Sequence, residues 1–239
     1  MNVTIAAAQI TITSSIEKNL QEILKAIAKA STQKASFVVL PETCLVSESK
    51  LVRPVLDLLK QIYAAAKEYS INVIFGSYVL VRGRIKNRIL VVSKEGVVVH
   101  RYDKRNLFMQ EPSEVVAGKR NRVLELDGVP FGVINCWDYA FPEQQRRLAK
   151  NGAKIIFCPA NLLSHPRTKN VLLAVPQVRA FDSMAYFVMV DGFHKRLFCQ
   201  TRICHPLREL ARISDEPGMV CVDVDLKEID LLRKEFPNF

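Results

Sequence analysis

The feature that most constrains this chain is the alternation of short β-prone runs with segments of helical periodicity. Val3 to Ile10 is an apolar, β-prone run, and the apolar residues between Ile16 and Ile27 recur at helical spacing, with Ser15 placed to cap the helix. Phe37 to Leu40 predicts a short strand, and residues 51–62 predict a second amphipathic helix. Strands separated by helices favour sheets that are covered by helices.

The rest of the chain adds hairpins to this pattern. Lys94-Glu95-Gly96 predicts a turn between two strands, and Asp127-Gly128 predicts another. Further strands are predicted over 71–81, 89–93, 97–102, 129–135 and 154–158 and near Tyr186, Leu197 and Met219, with helices over about 142–151 and 171–183. We therefore expect an α/β layered sandwich. Because no repeat, low-complexity stretch or linker divides the sequence, we expect one domain over 1–239.

Composition narrows the functional classes. Hydrophobic residues make up 49% and charged residues 24%, which is ordinary for a globular protein. No run is long enough to span a membrane and the first residues lack the layout of a signal peptide, so we expect a cytoplasmic protein with no membrane partner. The six cysteines do not form a dense disulfide framework, and the four histidines lack paired-ligand spacing. We therefore expect no metal and no cofactor.

The chain is basic, with a formal charge of +10, and part of the excess is concentrated between residues 82 and 105. Such a stretch can be a solvated face, a surface for nucleic acid or an acidic partner, or a contact for an anionic substrate. The solvated face is the commonest outcome, and the chain has no recognised nucleic-acid motif, so we do not expect nucleic acid as a partner. Eight basic residues form the stretch: Arg82, Arg84, Lys86, Arg88, Lys94, Arg101, Lys104 and Arg105.

Three residues with chemical potential follow three different predicted strands. Cys136 stands where a strand ends and a helical segment begins, a position that predicts an exposed thiol near backbone N–H groups that favour its thiolate. Glu42 follows Pro41 after another strand, and Lys104 follows a third. Alone, each residue has an ordinary structural explanation. An open α/β sheet can bring such strand ends to one cleft, and we expect these three to meet there.

A set of short motifs follows one another along the chain. It comprises Ala8-Gln9-Ile10, Val38-Val39-Leu40-Pro41-Glu42, Asn87, Tyr102-Asp103-Lys104-Arg105-Asn106-Leu107, Cys136-Trp137-Asp138-Tyr139-Ala140-Phe141-Pro142-Glu143, Gly152-Ala153, Pro159-Ala160-Asn161 and Val178-Arg179-Ala180. From about Val3 to Leu226 this set resembles the nitrilase superfamily, the carbon–nitrogen hydrolases. The resemblance is specific because the motifs occur in the family's order and spacing.

The resemblance implies a four-layer α-β-β-α sandwich that forms a homodimer or a higher homo-oligomer. It also implies that Cys136 attacks a small-molecule amide to form a thioester while Glu42 acts as general base and acid. Lys104 and the backbone N–H of Trp137 would stabilise the oxyanion. Glu111, seven residues after Lys104, would hold Lys104 and orient the substrate; a solvated loop acid is the structural alternative.

Two motifs depart from the family's pattern. Cys199-Gln200-Thr201 stands where members commonly carry Gly-x-Ser, and Asp182 replaces a glutamate after Val178-Arg179-Ala180. The short chain and the sequence around Cys136 favour an amidase that cleaves an aliphatic or ω-amide and releases ammonia. Nitrile hydrolysis by the same residues and a catalytically idle binding relative remain the alternatives.

Overall fold

The computed structural model describes residues 1–109, 111–162, 169–195 and 199–237. The α-helices are α1 (Ile16–Thr32), α2 (Leu56–Glu68), α3 (Pro142–Lys150), α4 (Lys169–Ser183) and α5 (Leu226–Glu235). The strands are β1 (Asn2–Gln9), β2 (Phe37–Val39), β3 (Asn72–Val81), β4 (Arg84–Val92), β5 (Val98–Asp103), β6 (Leu124–Leu126), β7 (Val129–Val133), β8 (Ile155–Pro159), β9 (Tyr186–Val190), β10 (Gln200–His205), β11 (Arg208–Ser214) and β12 (Gly218–Asp225).

These strands form two mixed sheets. The first has the order β12-β1-β2-β3-β4-β5 and the second the order β11-β10-β9-β8-β7-β6. In each sheet three neighbouring strands are parallel, β1-β2-β3 in the first and β7-β8-β9 in the second, and the remaining pairs are antiparallel. Because the parallel strands end at one edge, the loops that follow β2 and β7 can carry residues to a common site.

The two sheets pack face to face, and the alternation along β1 shows how. Ile5 and Ala7 point into the core between the sheets, whereas Ala6 and Ala8 point towards the helices. Across the inter-sheet core Phe37 meets Phe131 and Phe157, with each pair of ring centroids 5.5 Å apart. Each fully buried side chain of this size contributes about 1.5–3 kcal/mol.

Helices cover both outer faces. Apolar residues of α1 and α2 pack on the first sheet, and those of α3 and α4 pack on the second. Ser15 caps α1 by accepting a hydrogen bond from the Lys18 N–H, as its position in the sequence predicts. The α-β-β-α order of layers confirms the predicted fold class.

Some predicted boundaries were wrong. Helix α2 begins at Leu56 rather than near residue 51, because Pro54 disfavours helical backbone at the preceding residue. Strands β6 and β11 and helix α5 were not predicted, although Leu226 and Ile229 of α5 help to close the core between the sheets. The strand expected near Leu197 falls partly outside the described residues, and β10 begins at Gln200. Within the described ranges, no helix is long and apolar enough to cross a membrane.

Candidate active site

Three strand ends bring together the residues that the sequence singled out. Glu42 follows β2, Lys104 follows β5 and Cys136 follows β7. The Lys104 Nζ lies 2.8 Å from Glu42 Oε1 and 2.8 Å from Glu111 Oε2. The lysine is therefore held between two carboxylates, and the solvated-loop alternative for Glu111 does not apply, because its side chain is only 13% exposed.

These side chains open into one cavity of about 510 Å³, a volume that suits a small ligand. Cys136 lies on its wall together with Glu42, Lys104 and Glu111. The remaining lining residues of the described chain are Thr43, Ser47, Glu48, Ser49, Lys50, Tyr78, Phe108, Met109, Glu114, Val115 and Asn161.

A close backbone approach places Glu42. A Cβ added to Gly76 of β3 would lie 2.5 Å from Thr43 N and 2.6 Å from Glu42 Cα, so only glycine lets the two segments pass. The Gly76 N–H donates to the Pro41 carbonyl, and the Glu42 N–H donates to the Ala160 carbonyl. The position of the carboxylate is thus fixed from both sheets.

Cys136 sits on a strained turn. Its φ of +45° is unusual for a residue with a side chain, and it begins the 3₁₀ helix Cys136–Ala140 directly after the second sheet's β7. The Asp138 carboxylate accepts hydrogen bonds from the Asn135 N–H and from both the N–H and the side chain of Asn106. Asp138 therefore links the loop of the cysteine to the loop that follows Lys104.

The thiol is not exposed as the sequence led us to expect. Cys136 is only 6% exposed. Burial raises the pKa of the Cys136 thiol well above its ordinary value, and the nearby Glu42 carboxylate raises it further, although Lys104 and the Asn161 N–H oppose this. The prediction of an exposed thiol was wrong, and burial beside the Glu42 carboxylate disfavours the thiolate.

The charges around Lys104 compensate one another. Burial disfavours the lysine's charge, but the carboxylates of Glu42 and Glu111 raise its pKa well above the usual range. Burial likewise opposes ionisation of Glu111, but the Lys104 ammonium and hydrogen bonds from Phe108 N–H and Asn87 lower the pKa of that carboxyl. The site consequently keeps one cation between two anions.

Asn87 is the site residue to which the sequence analysis assigned no role. It is 1% exposed, and its side-chain nitrogen donates to Glu42 Oε1 and to Glu111 Oε1, each at 2.7 Å. Its oxygen accepts a 2.8 Å hydrogen bond from the Asn135 side chain. Asn87 lies between Lys86 and Arg88 in β4, so the local sequence pattern gives no signal of its burial.

The Trp137 side chain packs beside the site. Its ring centroid lies 4.8 Å from that of Phe108 and 6.1 Å from that of Tyr139. Trp137 follows Cys136 in the same 3₁₀ helix, so its backbone N–H belongs to the turn that carries the thiol.

The residues at the two departures from the family's pattern form polar contacts. Thr201 is buried; its hydroxyl accepts from the Asp191 N–H and donates to Gln9 Oε1, which joins the two sheets. Asp182 pairs with Arg179 at 2.7 Å, and Arg179 donates to the Tyr139 carbonyl in the cysteine-bearing helix. Neither Asp182 nor Cys199-Gln200-Thr201 lines the cavity.

The basic hairpin does not line the cavity. Arg88 forms a bidentate ion pair with Asp103, and the Lys86 ammonium donates to the carbonyls of Val116 and Ala117. Arg82 occupies the β3–β4 turn with a φ of +50°. The cavity wall includes none of Arg82, Arg84, Lys86 and Arg88, so the structure does not support these four as a contact for an anionic substrate.

No group of three metal-binding side chains occurs within the described ranges. His194 contacts Asn161 and His205 lies near Glu228, so neither is part of the Glu42–Lys104 cluster. His165 lies outside the described residues.

A family model described as carbon-nitrogen hydrolase matches residues 4–234. The chain belongs to the carbon–nitrogen hydrolase family. This carbon–nitrogen hydrolase is 28% identical over 250 residues to the deaminated glutathione amidase of Escherichia coli O157:H7, covering 98% of this chain and 94% of the relative. It is also 28% identical over 186 residues to the 2-oxoglutaramate amidase of Bacillus subtilis (strain 168), covering 73% and 70% of the two chains.

A solved structure shares the fold of this carbon–nitrogen hydrolase. It is a mutant of the amidase from Nesterenkonia sp. AN1 that carries the acetamide moiety of fluoroacetamide on its active-site cysteine. The two chains superpose with a TM-score of 0.83 at 20% identity, over 97% of this chain and 96% of the amidase. Together with the amidase relatives, the family match identifies an amidase-type hydrolase.

Proposed function

We propose that this enzyme hydrolyses a small aliphatic amide or an ω-amide through a thioester on Cys136, with Glu42 as general base and acid. The observation that carries the proposal is the buried Lys104 ammonium, 2.8 Å from both Glu42 and Glu111, in a cavity that Cys136 also lines. This arrangement supplies a nucleophile, a proton acceptor and a fixed positive charge within one small space.

In the first half-reaction the Cys136 thiol attacks the amide carbon while its proton passes to Glu42. Since the thiol is neutral at rest, a base must accept the proton as the C–S bond forms. The negative charge that develops on the amide oxygen is stabilised by Lys104 and the Trp137 N–H, and such a donor contributes roughly 3–4 kcal/mol. The C–N bond then breaks, Glu42 returns the proton to the nitrogen, and ammonia leaves.

In the second half-reaction water attacks the thioester. Glu42 accepts a proton from the water and the same oxyanion contacts operate. As the C–S bond breaks, Glu42 gives this proton to the sulfur, which releases the carboxylic acid and restores the thiol and the carboxylate. Lys104 is held by Glu111 throughout and does not transfer protons. Glu111 acts by orienting Lys104 and the bound amide.

The substrate class is supported by the cavity and by the relatives. Tyr78, Phe108 and Val115 give the wall an apolar part that suits an aliphatic chain. Lys50 also lines the cavity, where its ammonium pairs with Glu48 at 2.7 Å. The relatives named for deaminated glutathione and 2-oxoglutaramate favour an ω-amide whose far end carries a carboxylate.

Ammonia release from a panel of compounds tests the proposal. The panel contains acetamide, propionamide, butyramide, glutaramate, 2-oxoglutaramate and propionitrile. At least one amide should react with kcat/KM of about 10⁴ M⁻¹ s⁻¹ or more, a common value for enzymes, and the nitrile should be far slower. Cys136→Ala should release no ammonia from any of them. Faster turnover of the nitrile, or activity that survives in Cys136→Ala, would overturn the proposal.

A further inference from the structure

We propose that Asn87 is a positioning residue that aligns the base Glu42 with the turn that carries the nucleophile Cys136. The inference rests on the proposed function, since it takes Glu42 as the proton acceptor. Asn87 is 1% exposed and does not line the cavity, so it acts through its neighbours and does not touch the substrate.

All the side-chain donors of Asn87 are committed to the site. An amide group has two N–H bonds, and here they go to Glu42 Oε1 and Glu111 Oε1 at 2.7 Å each. Because both partners are carboxylate oxygens that accept only, the nitrogen of Asn87 must face them. The Asn87 nitrogen thereby holds both acids, and Lys104 contacts the same two carboxylates.

The remaining polar atom of the Asn87 side chain, its oxygen, forms a hydrogen bond with a residue of the other sheet. Its oxygen accepts from the Asn135 side chain at 2.8 Å, and Asn135 directly precedes Cys136. Asn87 lies on β4 of the first sheet, whereas Asn135 follows β7 of the second. One buried amide therefore ties the carboxylates to the strand end that carries the thiol.

The contacts also select which oxygen of Glu42 reacts. Asn87 and Lys104 both donate to Oε1, at 2.7 and 2.8 Å. With this oxygen held by two donors, Oε2 is the oxygen that exchanges protons with the thiol and with water. Loss of the amide would remove one of the two donors that hold Oε1 and would let the carboxylate rotate.

A second buried asparagine provides a matched control. Asn72 is also 1% exposed, also lies in the first sheet, and donates to the Asp127 carboxylate at 2.9 Å. It does not line the cavity. Asn72→Asp therefore places an acid at a buried asparagine position that also faces a carboxylate, here the exposed Asp127, without changing the site.

The test compares Asn87→Asp, Asn87→Ala and Asn72→Asp by thermal unfolding and by the kcat and KM of ammonia release from the amide of the panel that wild type hydrolyses fastest. Both Asn87 variants should lower kcat by about 10- to 100-fold, the range for lost hydrogen bonds to charged groups, with KM changed by less than about threefold. A loss confined to kcat is expected because Asn87 aligns the reacting groups and does not line the cavity. Asn72→Asp should lower the melting temperature but leave kcat unchanged.

The alanine variant keeps the test decisive if Asn87→Asp does not fold. A normal kcat in folded Asn87→Ala, or a loss expressed in KM with kcat unchanged, would overturn the positioning role. If wild type releases no ammonia from any amide of the panel, or Cys136→Ala remains active, the proposed function fails and the inference falls with it. If wild type is active and Cys136→Ala is inactive, the proposed function stands, and the Asn87 variants then test the positioning role alone.

Discussion

The Lys104 ammonium lies 2.8 Å from Glu42 Oε1, and the two side chains are only 2% and 5% exposed. Charges so deeply buried are costly unless each has a partner, and Glu111 supplies the second partner of Lys104. The neutral thiol of Cys136 adjoins this charged group. In the proposed mechanism a proton passes from sulfur to a carboxylate during attack, and the lysine's charge stays in place.

Removal of Lys104 should therefore damage both activity and stability. Lys104→Met leaves two buried carboxylates without their cation, so we expect a loss of about 3–5 kcal/mol in the free energy of unfolding. Activity should fall to within an order of magnitude of that of Cys136→Ala, as should that of Glu42→Gln, because the three groups act as a unit. Ammonia release and chemical denaturation measure the two effects.

The control for this variant is Lys154→Met. Lys154 also forms an ion pair, with Asp230 at 2.6 Å, but that pair is partly exposed and outside the cavity. It should cost no more than about 1 kcal/mol and leave the rate unchanged. A Lys104→Met enzyme that kept most of its rate would show that the lysine does not stabilise the oxyanion.

Glu111→Gln should be milder in activity and should change how stability depends on pH. Lys104 lowers the pKa of Glu111 in the folded chain, so this contribution to stability is present above about pH 4.3, the ordinary glutamate value, and is lost as the pH falls through the lowered pKa. The difference in unfolding free energy between wild type and Glu111→Gln should therefore shrink on acidification. A difference in unfolding free energy that stayed constant from pH 7 to pH 3 would contradict the ion pair.

Gly76→Ala should disable the site through the backbone. The added methyl group would meet Thr43 N at 2.5 Å and Glu42 Cα at 2.6 Å, and overpacking of this kind costs about 1–3 kcal/mol. We expect a lower melting temperature and a large loss of kcat as Glu42 is displaced. Gly218→Ala, whose nearest contact would be an ordinary 3.6 Å to Ile213, should change neither by much. Equal behaviour of the two variants would contradict the close approach.

The arginines of the β3–β4 turn should have no role in substrate choice. Arg82→Ser/Arg84→Ser should leave the ratio of kcat/KM for glutaramate over that for butyramide unchanged, because neither residue lines the cavity. Lys50→Gln, on the cavity wall, should lower the ratio a few-fold, and the effect should weaken with salt. A tenfold drop in the ratio for the arginine variant would show that the basic hairpin takes part in substrate recognition.

The thiols should differ in reactivity towards iodoacetamide. Cys136 faces the cavity beside a base, whereas Cys44, Cys158, Cys199 and Cys204 are fully buried. Peptide mapping should find Cys136 alkylated first, ahead also of the half-buried Cys221. Earlier labelling of Cys221 would show that exposure outweighs activation by Glu42.

Much of this molecule could be predicted from sequence because its signals are local. The periodicity of residues 16–27 and the cap at Ser15 require only neighbours in the chain, and the same holds for the turns at Gly96 and Gly128. The order of the motifs then indicated the family. The single domain, the cytoplasmic location and the homodimer remain predictions.

The features that sequence did not reveal depend on contacts between distant segments. The burial of Cys136 follows from packing against Glu42 and Asn161, and local propensity contains no sign of it. Asn87 gains its importance from three partners that lie 24, 45 and 48 residues away. The contacts of the basic hairpin could not be predicted for the same reason, since the partners of Arg88 and Lys86 come from β5 and from the loop before β6.

The measurement that tests the central claim most directly is the mass of the enzyme during turnover. Wild type that is acid-quenched while it hydrolyses a reactive amide should gain the mass of the substrate's acyl group, and the modified peptide should contain Cys136. Added hydroxylamine should intercept the same thioester and form a hydroxamate, with Cys136→Ala giving neither product. Ammonia release from an enzyme of unchanged mass, with no hydroxamate formed, would contradict the account.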